Sequence, residues 1–394
     1  MGASPRQARR QRQGRGAAQV DAALVLTALA LVCIGLVMVA STSVAVSEKY
    51  AVGQWHFFSR HVAFVALGVV LAVSVQWLPT RVLQRLDRFC LLAALLLLGA
   101  VLVPGLGVTV NGATRWLNLG VFRFQAVEAV KLLMIVYVAG YLARRPELHE
   151  AGVVDTLKPL LIGGVLAVLL LKQPDMGSAV VLMAILAGMV WLAGAAWRSL
   201  ALLGMASLPL VTFAALEPYR LERLTSFGDP FADPFDAGFQ LVQALIAIGR
   251  GELTGVGLGS SVQKLFYLPE AHTDFIFAIL AEELGLIGIA SVVLLFAVLV
   301  LRIFHIGVRA YAGGELFAAF LSFGVGLWIG LQALVSMGVN LGVLPTKGLT
   351  LPLVSAGGSS MLMMLLALGL VVRIAREFDD GHGRRSARNR GAAV

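Results

Sequence analysis

Carboxylates and cations set in or beside long apolar stretches are the residues of this chain best placed to do chemistry, because charge in hydrocarbon is costly. Glu128 and Lys131 stand three apart in one apolar run, so on a helix they share a face and neutralise each other. A structural ion pair that locks helices together accounts for them equally well. Asp175, which follows Pro174, is placed either to cap the next helix or to face a ligand. Asp274 opens another apolar run in Ala271-His272-Thr273-Asp274-Phe275-Ile276-Phe277, where capping is again the plain alternative. Glu282 and Glu283 lie two turns deeper, beyond the reach of capping. A carboxylate at the water-facing end of a buried helix can stay ionised, be partly desolvated and accept a proton from a bound hydroxyl, as a general base must. Arg115, Arg220, Arg223, Lys264 and Lys347 lie between apolar runs. Cations facing such an anion suit a pyrophosphate, which guanidinium geometry matches well.

Other chemistries find little support. Gly255, Gly257 and Gly259 form a GxGxG run, but no βαβ unit surrounds it. There is no HExxH, no metal-ligand histidine pair and no GxSxG. The two cysteines, Cys33 and Cys90, sit in apolar runs and build neither a disulfide framework nor a metal site. No cofactor is required, although a divalent cation, Mg or Mn, bridging a pyrophosphate to carboxylates is compatible with these residues.

The elements that must hold these residues are membrane helices. Of 394 residues, 59% are hydrophobic and 13% charged, about half the charge of a soluble domain. Apolar runs of roughly twenty residues recur along the chain. They predict an all-α, polytopic membrane protein of about ten transmembrane helices, near 22–42, 61–78, 89–104, 125–143, 157–172, 177–196, 199–216, 274–301, 315–338 and 353–375. The first run exceeds a typical signal h-region and more spans follow it, so it reads as an uncleaved helix. One set of connections, including both ends of the chain, carries roughly twice the Lys and Arg of the other, which puts both termini in the cytoplasm. The net charge of +9 is then a matter of topology, and nucleic acid is not a partner.

The chain divides into a basic cytoplasmic tail, 1–21, an integral membrane domain, 22–376, and a cytoplasmic C-terminal tail, 377–394. Between the seventh and eighth spans lies a large extracytoplasmic loop, 217–273, too long for a bare connection and so functional. Its segment 237–250 has the spacing of a short helix lying against the membrane surface.

Read in order, these segments resemble the SEDS family of shape, elongation, division and sporulation proteins. The resemblance is carried by Asn111 to Leu117, Gln125 to Lys131, Gln173 to Ser178, Pro218 to Arg223, Gly238-Phe239-Gln240 with Gln243, Gly255 to Lys264, Leu268 to Ala278, Glu282 to Gly285, and Ser355 to Ser360. Leu344 to Pro352 is similar to the division branch rather than the elongation branch. Two positions depart from the pattern: Ala126 stands where the family has Pro, and Ala356 where it has Tyr.

The resemblance implies a peptidoglycan glycosyltransferase of the inner membrane. Such an enzyme polymerises lipid II into glycan strands at the division septum and releases a polyprenyl pyrophosphate. It also implies that Asp274 is catalytic, and that Arg115, Glu128, Lys131, Asp175, Arg220, Arg223, Gln243, Lys264, Lys347 and Ser359 contact substrate. One such Asp among cations suits an inverting displacement, since retention would ask for a second carboxylate as nucleophile. The implied partners are a cognate class B penicillin-binding protein and small bitopic division regulators, within membrane lipid. Gly324, Gly326 and Gly330 are small residues that suit either a partner's single span or tight internal packing. Two other functions compete: a lipid II flippase, for which no inverted repeat is found, and a scaffold, which has no need of Asp274 beside basic loops.

Overall fold

The computed structural model describes residues 21–49, 53–110, 112–120, 122–145, 153–202, 204–205, 212, 216, 227–232, 234–236, 238–265, 267–345 and 348–391. Long apolar runs fold as helices because only internal hydrogen bonding satisfies the main chain in lipid. The first are α1 (Ala22–Lys49), α2 (His56–Ser74), the short α3 (Thr80–Arg85) and α4 (Asp87–Leu102). Then come α5 (Ala126–Ala143), α6 (Val153–Lys172), α7 (Met176–Leu192) and α8 (Phe239–Gly251). The last are α9 (Ile276–Ala312), α10 (Leu316–Asn340) and α11 (Gly358–Gly391). Among the described residues, six helices are long and apolar enough to cross a membrane, and α7 is a shorter apolar helix.

The chain is thus a multi-pass membrane protein. The expected spans coincide with helices, except that the seventh, 199–216, and the tail 1–20 lie largely or wholly outside the described residues. Three details go beyond those expectations. The chain is not purely helical: Gly107–Val110 (β1), Ala113–Asn118 (β2) and Arg123–Gln125 (β3) form an antiparallel sheet in the order β1-β2-β3, with Trp116 opposite both Val108 and Gln125. The last helix covers most of the expected span and continues as helix to Gly391. Finally, added side-chain atoms at Gly324 would meet Ile135 and Met189, and at Gly326 would meet Phe304. Those glycines serve internal helix packing.

Helix α5 is the axis of the core. Its side chains are buried nearly all round, as a helix apolar on every face must be, and it packs against α4, α7, α10 and α11. Helix α2 is the opposite case: only His61, Phe64 and Gly68 on it are buried, and it leans on α11 and α1. Ion pairs Asp21–Arg302 and Asp87–Arg144, each 2.5 Å, tie α1 to α9 and α4 to α5 at the ends away from β1–β3.

Helix α9 is interrupted at Gly285, where φ is 64° and ψ −161°. The main chain of the preceding loop fills the gap. Val256 N donates to Glu282 O (3.0 Å), Gly257 N to Glu283 O (3.1 Å), and Leu286 N to Glu252 O (3.0 Å). A side chain at Gly285 would lie 2.4 Å from Gly255 N, so neither the left-handed backbone nor the space admits one.

Candidate active site

A cavity of about 470 Å³ opens where α2, the sheet, the starts of α5 and α7, the residues before α9 and the turn into α11 meet. Asp274 lines it, and its position is set by main-chain bonds on every side. Asn340 Nδ2 donates to Asp274 O at 2.9 Å, Ser355 Oγ to Thr273 O at 2.7 Å, and Ala356 N to His272 O at 3.0 Å. Asn340 Oδ1 also accepts from Ala278 N at 3.1 Å. The end of α10 therefore supplies the cap that the start of α9 lacks. The side chain of Asp274 lies over Gly348, where a Cβ would be 2.8 Å from its Oδ2.

Four more of the expected residues share this cavity: Arg115, Glu128, Asp175 and Ser359. Arg115 on β2 donates from Nε to Gln173 O (3.4 Å) and from its terminal nitrogen to Pro174 O, fixing the turn before α7. Asp175 caps α7, accepting from Ser178 N at 3.2 Å, so capping and lining the cavity are both true of it. The Ser359 hydroxyl accepts from Gln125 N at 2.9 Å and joins the sheet to α11.

Glu128 and Lys131 meet at 2.8 Å, both almost wholly buried. Lys131 does not reach the cavity wall; its ammonium is held between Glu128 Oε1, Gln332 Oε1 (2.7 Å) and the ring of Trp328 (5.1 Å to its centroid). Gln332 in turn donates to Thr350 O at 3.1 Å. The pair thus braces α5 against α10 and the turn beside Asp274.

Two expected contacts stand elsewhere. Gln243 is on α8 outside the cavity wall, which Gln240 of the same helix reaches instead. Lys264 is buried in an ion pair of 2.7 Å with Glu283, both bonded to Ser41 of α1. Glu282 accepts from Ser261 Oγ (2.5 Å) and pairs with Arg250 (3.1 Å). These two glutamates anchor the loop to α9, which answers why capping could not explain them. Arg220, Arg223 and Lys347 lie outside the described residues.

The cavity also contains groups that sequence reasoning passed over. Arg60 and His61 stand on the exposed-end turn of α2, Arg123 on β3, and Glu270 and His272 just before Asp274. Burial pushes the His272 imidazole below the usual histidine range, against the pull of Glu270. Phe57 meets its ring at a tilt of 59°, 5.4 Å between centroids. Ala356 is part of the wall. Among the described residues no three His, Cys, Asp or Glu side chains group to hold a metal. Both cysteines are free thiols, and neither lines the cavity.

Packed membrane helices around a cleft that holds arginines and carboxylates together define a multi-pass membrane protein equipped to bind a charged ligand at one mouth. Its lineage is equally plain. The family model described as cell cycle protein, that of FtsW, RodA and SpoVE, matches residues 21–379, and the chain belongs to this family. It is 50% identical over 373 residues to the probable peptidoglycan glycosyltransferase FtsW of Thioalkalivibrio sulfidiphilus, covering 94% of this chain and 93% of that one. With the corresponding protein of Halorhodospira halophila the identity is 48% over 342 residues, covering 86% and 87%. Among solved structures, a chain of a peptidoglycan synthase complex that coordinates polymerization and crosslinking superposes with a TM-score of 0.74 at 32% identity, covering 91% of this chain and 98% of that one. The rod shape determining protein RodA of Thermus thermophilus superposes with a TM-score of 0.66 at 30% identity, covering 91% and 97%.

Proposed function

We propose that this chain is a peptidoglycan glycosyltransferase of the division type, which polymerises lipid II into glycan strands on the outer face of the inner membrane at the septum. The observation that carries this reading is that Asp274 lines the same cavity as Arg60, Arg115 and Arg123. Asp274 takes the proton from the acceptor sugar's hydroxyl. The hydroxyl oxygen then bonds to the anomeric carbon of the donor, the bond from that carbon to the pyrophosphate oxygen breaks, and the configuration inverts. Negative charge develops on the departing polyprenyl pyrophosphate, where fixed guanidinium donors stabilise it most. Arg220, Arg223 and Lys347 are proposed to add to this set, and Glu128, Lys131, Asp175 and Ser359 to shape the floor beneath it. Gln243 and Lys264 act through the packing of the loop rather than by touching the sugar.

No cofactor is needed for these steps. A Mg or Mn ion bridging the pyrophosphate to a cavity carboxylate would make polymerisation sensitive to chelator, which is the measurement that decides it. The partner proposed is a class B penicillin-binding protein whose transpeptidase crosslinks the product, with small bitopic division proteins as regulators. The resemblance to a chain of a synthase complex supports the first of these.

The test is polymerisation of lipid II by the purified protein with its transpeptidase partner. Wild type is expected to make polymer, and Asp274→Asn to fold, bind lipid II and make none. Full activity in the variant would remove Asp274 from the mechanism. Translocation of lipid II in sealed vesicles without polymer would favour the flippase instead.

A further inference from the structure

The cavity holds a set of buried polar atoms that the proposed chemistry leaves unused. His61, on the buried stripe of α2 with Phe57 and Phe64, is 3% exposed, and neither Nδ1 nor Nε2 has a hydrogen-bond partner. Glu128 is also 3% exposed; Lys131 satisfies its Oε1, and its Oε2 has no partner. His272 Nδ1 is a fourth such atom. All three residues line the same cavity. Buried polar groups are nearly always hydrogen-bonded because leaving them unpaired is costly, and three without a partner around one space are the imprint of something that enters it.

The atoms also say what enters. A carboxylate oxygen only accepts, and it repels anions, so Glu128 Oε2 faces an O–H or N–H and not a phosphate. An uncharged imidazole offers one donor and one acceptor, the complement of a hydroxyl or an amide. The diphosphate is matched by the arginines, which leaves the sugar for this floor. Packing holds the turn of α2 next to His61 in place: Phe64 lies against Gly358, Arg60 stands over the Phe64 ring at 5.8 Å, and Phe122 meets that ring edge-on at 5.5 Å.

We propose that His61 is a substrate-binding residue, which together with the unpaired oxygen of Glu128 holds hydroxyl or acetamido groups of the sugar unit in the cavity. This rests on the glycosyltransferase reading for the identity of the ligand, but it is tested by binding and not by turnover. The imidazole forms no bond with the sugar beyond hydrogen bonds and exchanges no proton with it.

The experiment measures binding of lipid II, and of the polyprenyl pyrophosphate without sugars, to the full chain with its partner in an Asp274→Asn background. His61→Phe keeps the ring and removes the polar atoms; His61→Asn keeps a donor and an acceptor. The phenylalanine variant is expected to weaken lipid II binding about tenfold and to leave the sugar-free lipid unchanged, and the asparagine variant to recover most of the loss. Equal weakening for both lipids, or none for either, overturns the proposal; in the second case the floor holds water only. Should the phenylalanine variant fail to fold, protection of His61 from carbethoxylation in the wild-type protein is the second measurement. Lipid II is expected to protect it, and labelling that lipid II leaves unchanged overturns the proposal. A wild-type protein that binds lipid II through His61 but makes no polymer would refute the enzyme and keep the subsite.

Discussion

The side-chain amide of Asn340 joins the end of α10 to the main chain of Asp274, donating to its carbonyl at 2.9 Å while accepting from Ala278 N at 3.1 Å. One residue therefore both caps α9 and fixes the backbone that carries the proposed base. Asn340→Ala takes away the side-chain donor to Asp274 O and leaves Ala278 N with Phe275 O alone, and is expected to cost about 1–3 kcal/mol in stability. Asn340→Asp keeps the acceptor for Ala278 but loses the donor to Asp274. Its polymerisation rate should fall further than its unfolding temperature would suggest, which rate assays and thermal unfolding of the same sample will check.

Gly348 tests the aim of the carboxylate without touching it. A methyl group there would lie 2.8 Å from Asp274 Oδ2, so the carboxylate must shift to admit it. Gly348→Ala is expected to fold normally and to lose rate on the order of a hundredfold, the scale of a 1 Å misplacement. Unchanged turnover would mean that the carboxylate position seen here is not the working one.

Lys131 is expected to matter first for stability. Lys131→Met strands the Glu128 charge in the core, where breaking a buried pair costs about 3–5 kcal/mol. Glu128→Gln with Lys131→Met removes both charges together. Thermal unfolding should place the double variant above the single one, and a double variant that is no better would disprove the pairing as the source of the cost.

Acid should loosen the turn before α9. Because burial lowers the His272 pKa below the usual 6.5, the unfolded chain takes up a proton before the folded one does. Stability is then fullest above pH 6.5 and declines as pH falls from 6.5 towards the folded value. Unfolding temperatures of wild type between pH 8 and pH 5 should show this slope, and His272→Asn should flatten it.

What the sequence makes legible follows from which signals are local. Apolar length marks the helices, three-residue spacing places Glu128 under Lys131, and Pro174 before Asp175 announces the cap of α7. The sheet at 107–125 escapes because its strands are three to six residues long and carry no long alternating pattern. Arg60 escapes because α2 starts at His56, earlier than its apolar run suggests, and His61 because a lone histidine at the start of the expected span carries no spacing signal. Lys264 looks like a loop cation for a diphosphate, yet Glu283, nineteen residues away in sequence, holds it at 2.7 Å. Only folding brings those two together, and no spacing rule anticipates it.

The break at Gly285 changes what counts as a separable part of this protein. Where the chain from Glu252 to Gly257 completes the hydrogen bonding of α9, a surface connection has become masonry in a transmembrane wall. Anyone exchanging the preceding segment for a relative's must therefore cut ahead of Glu252, or carry the interrupted helix along with it.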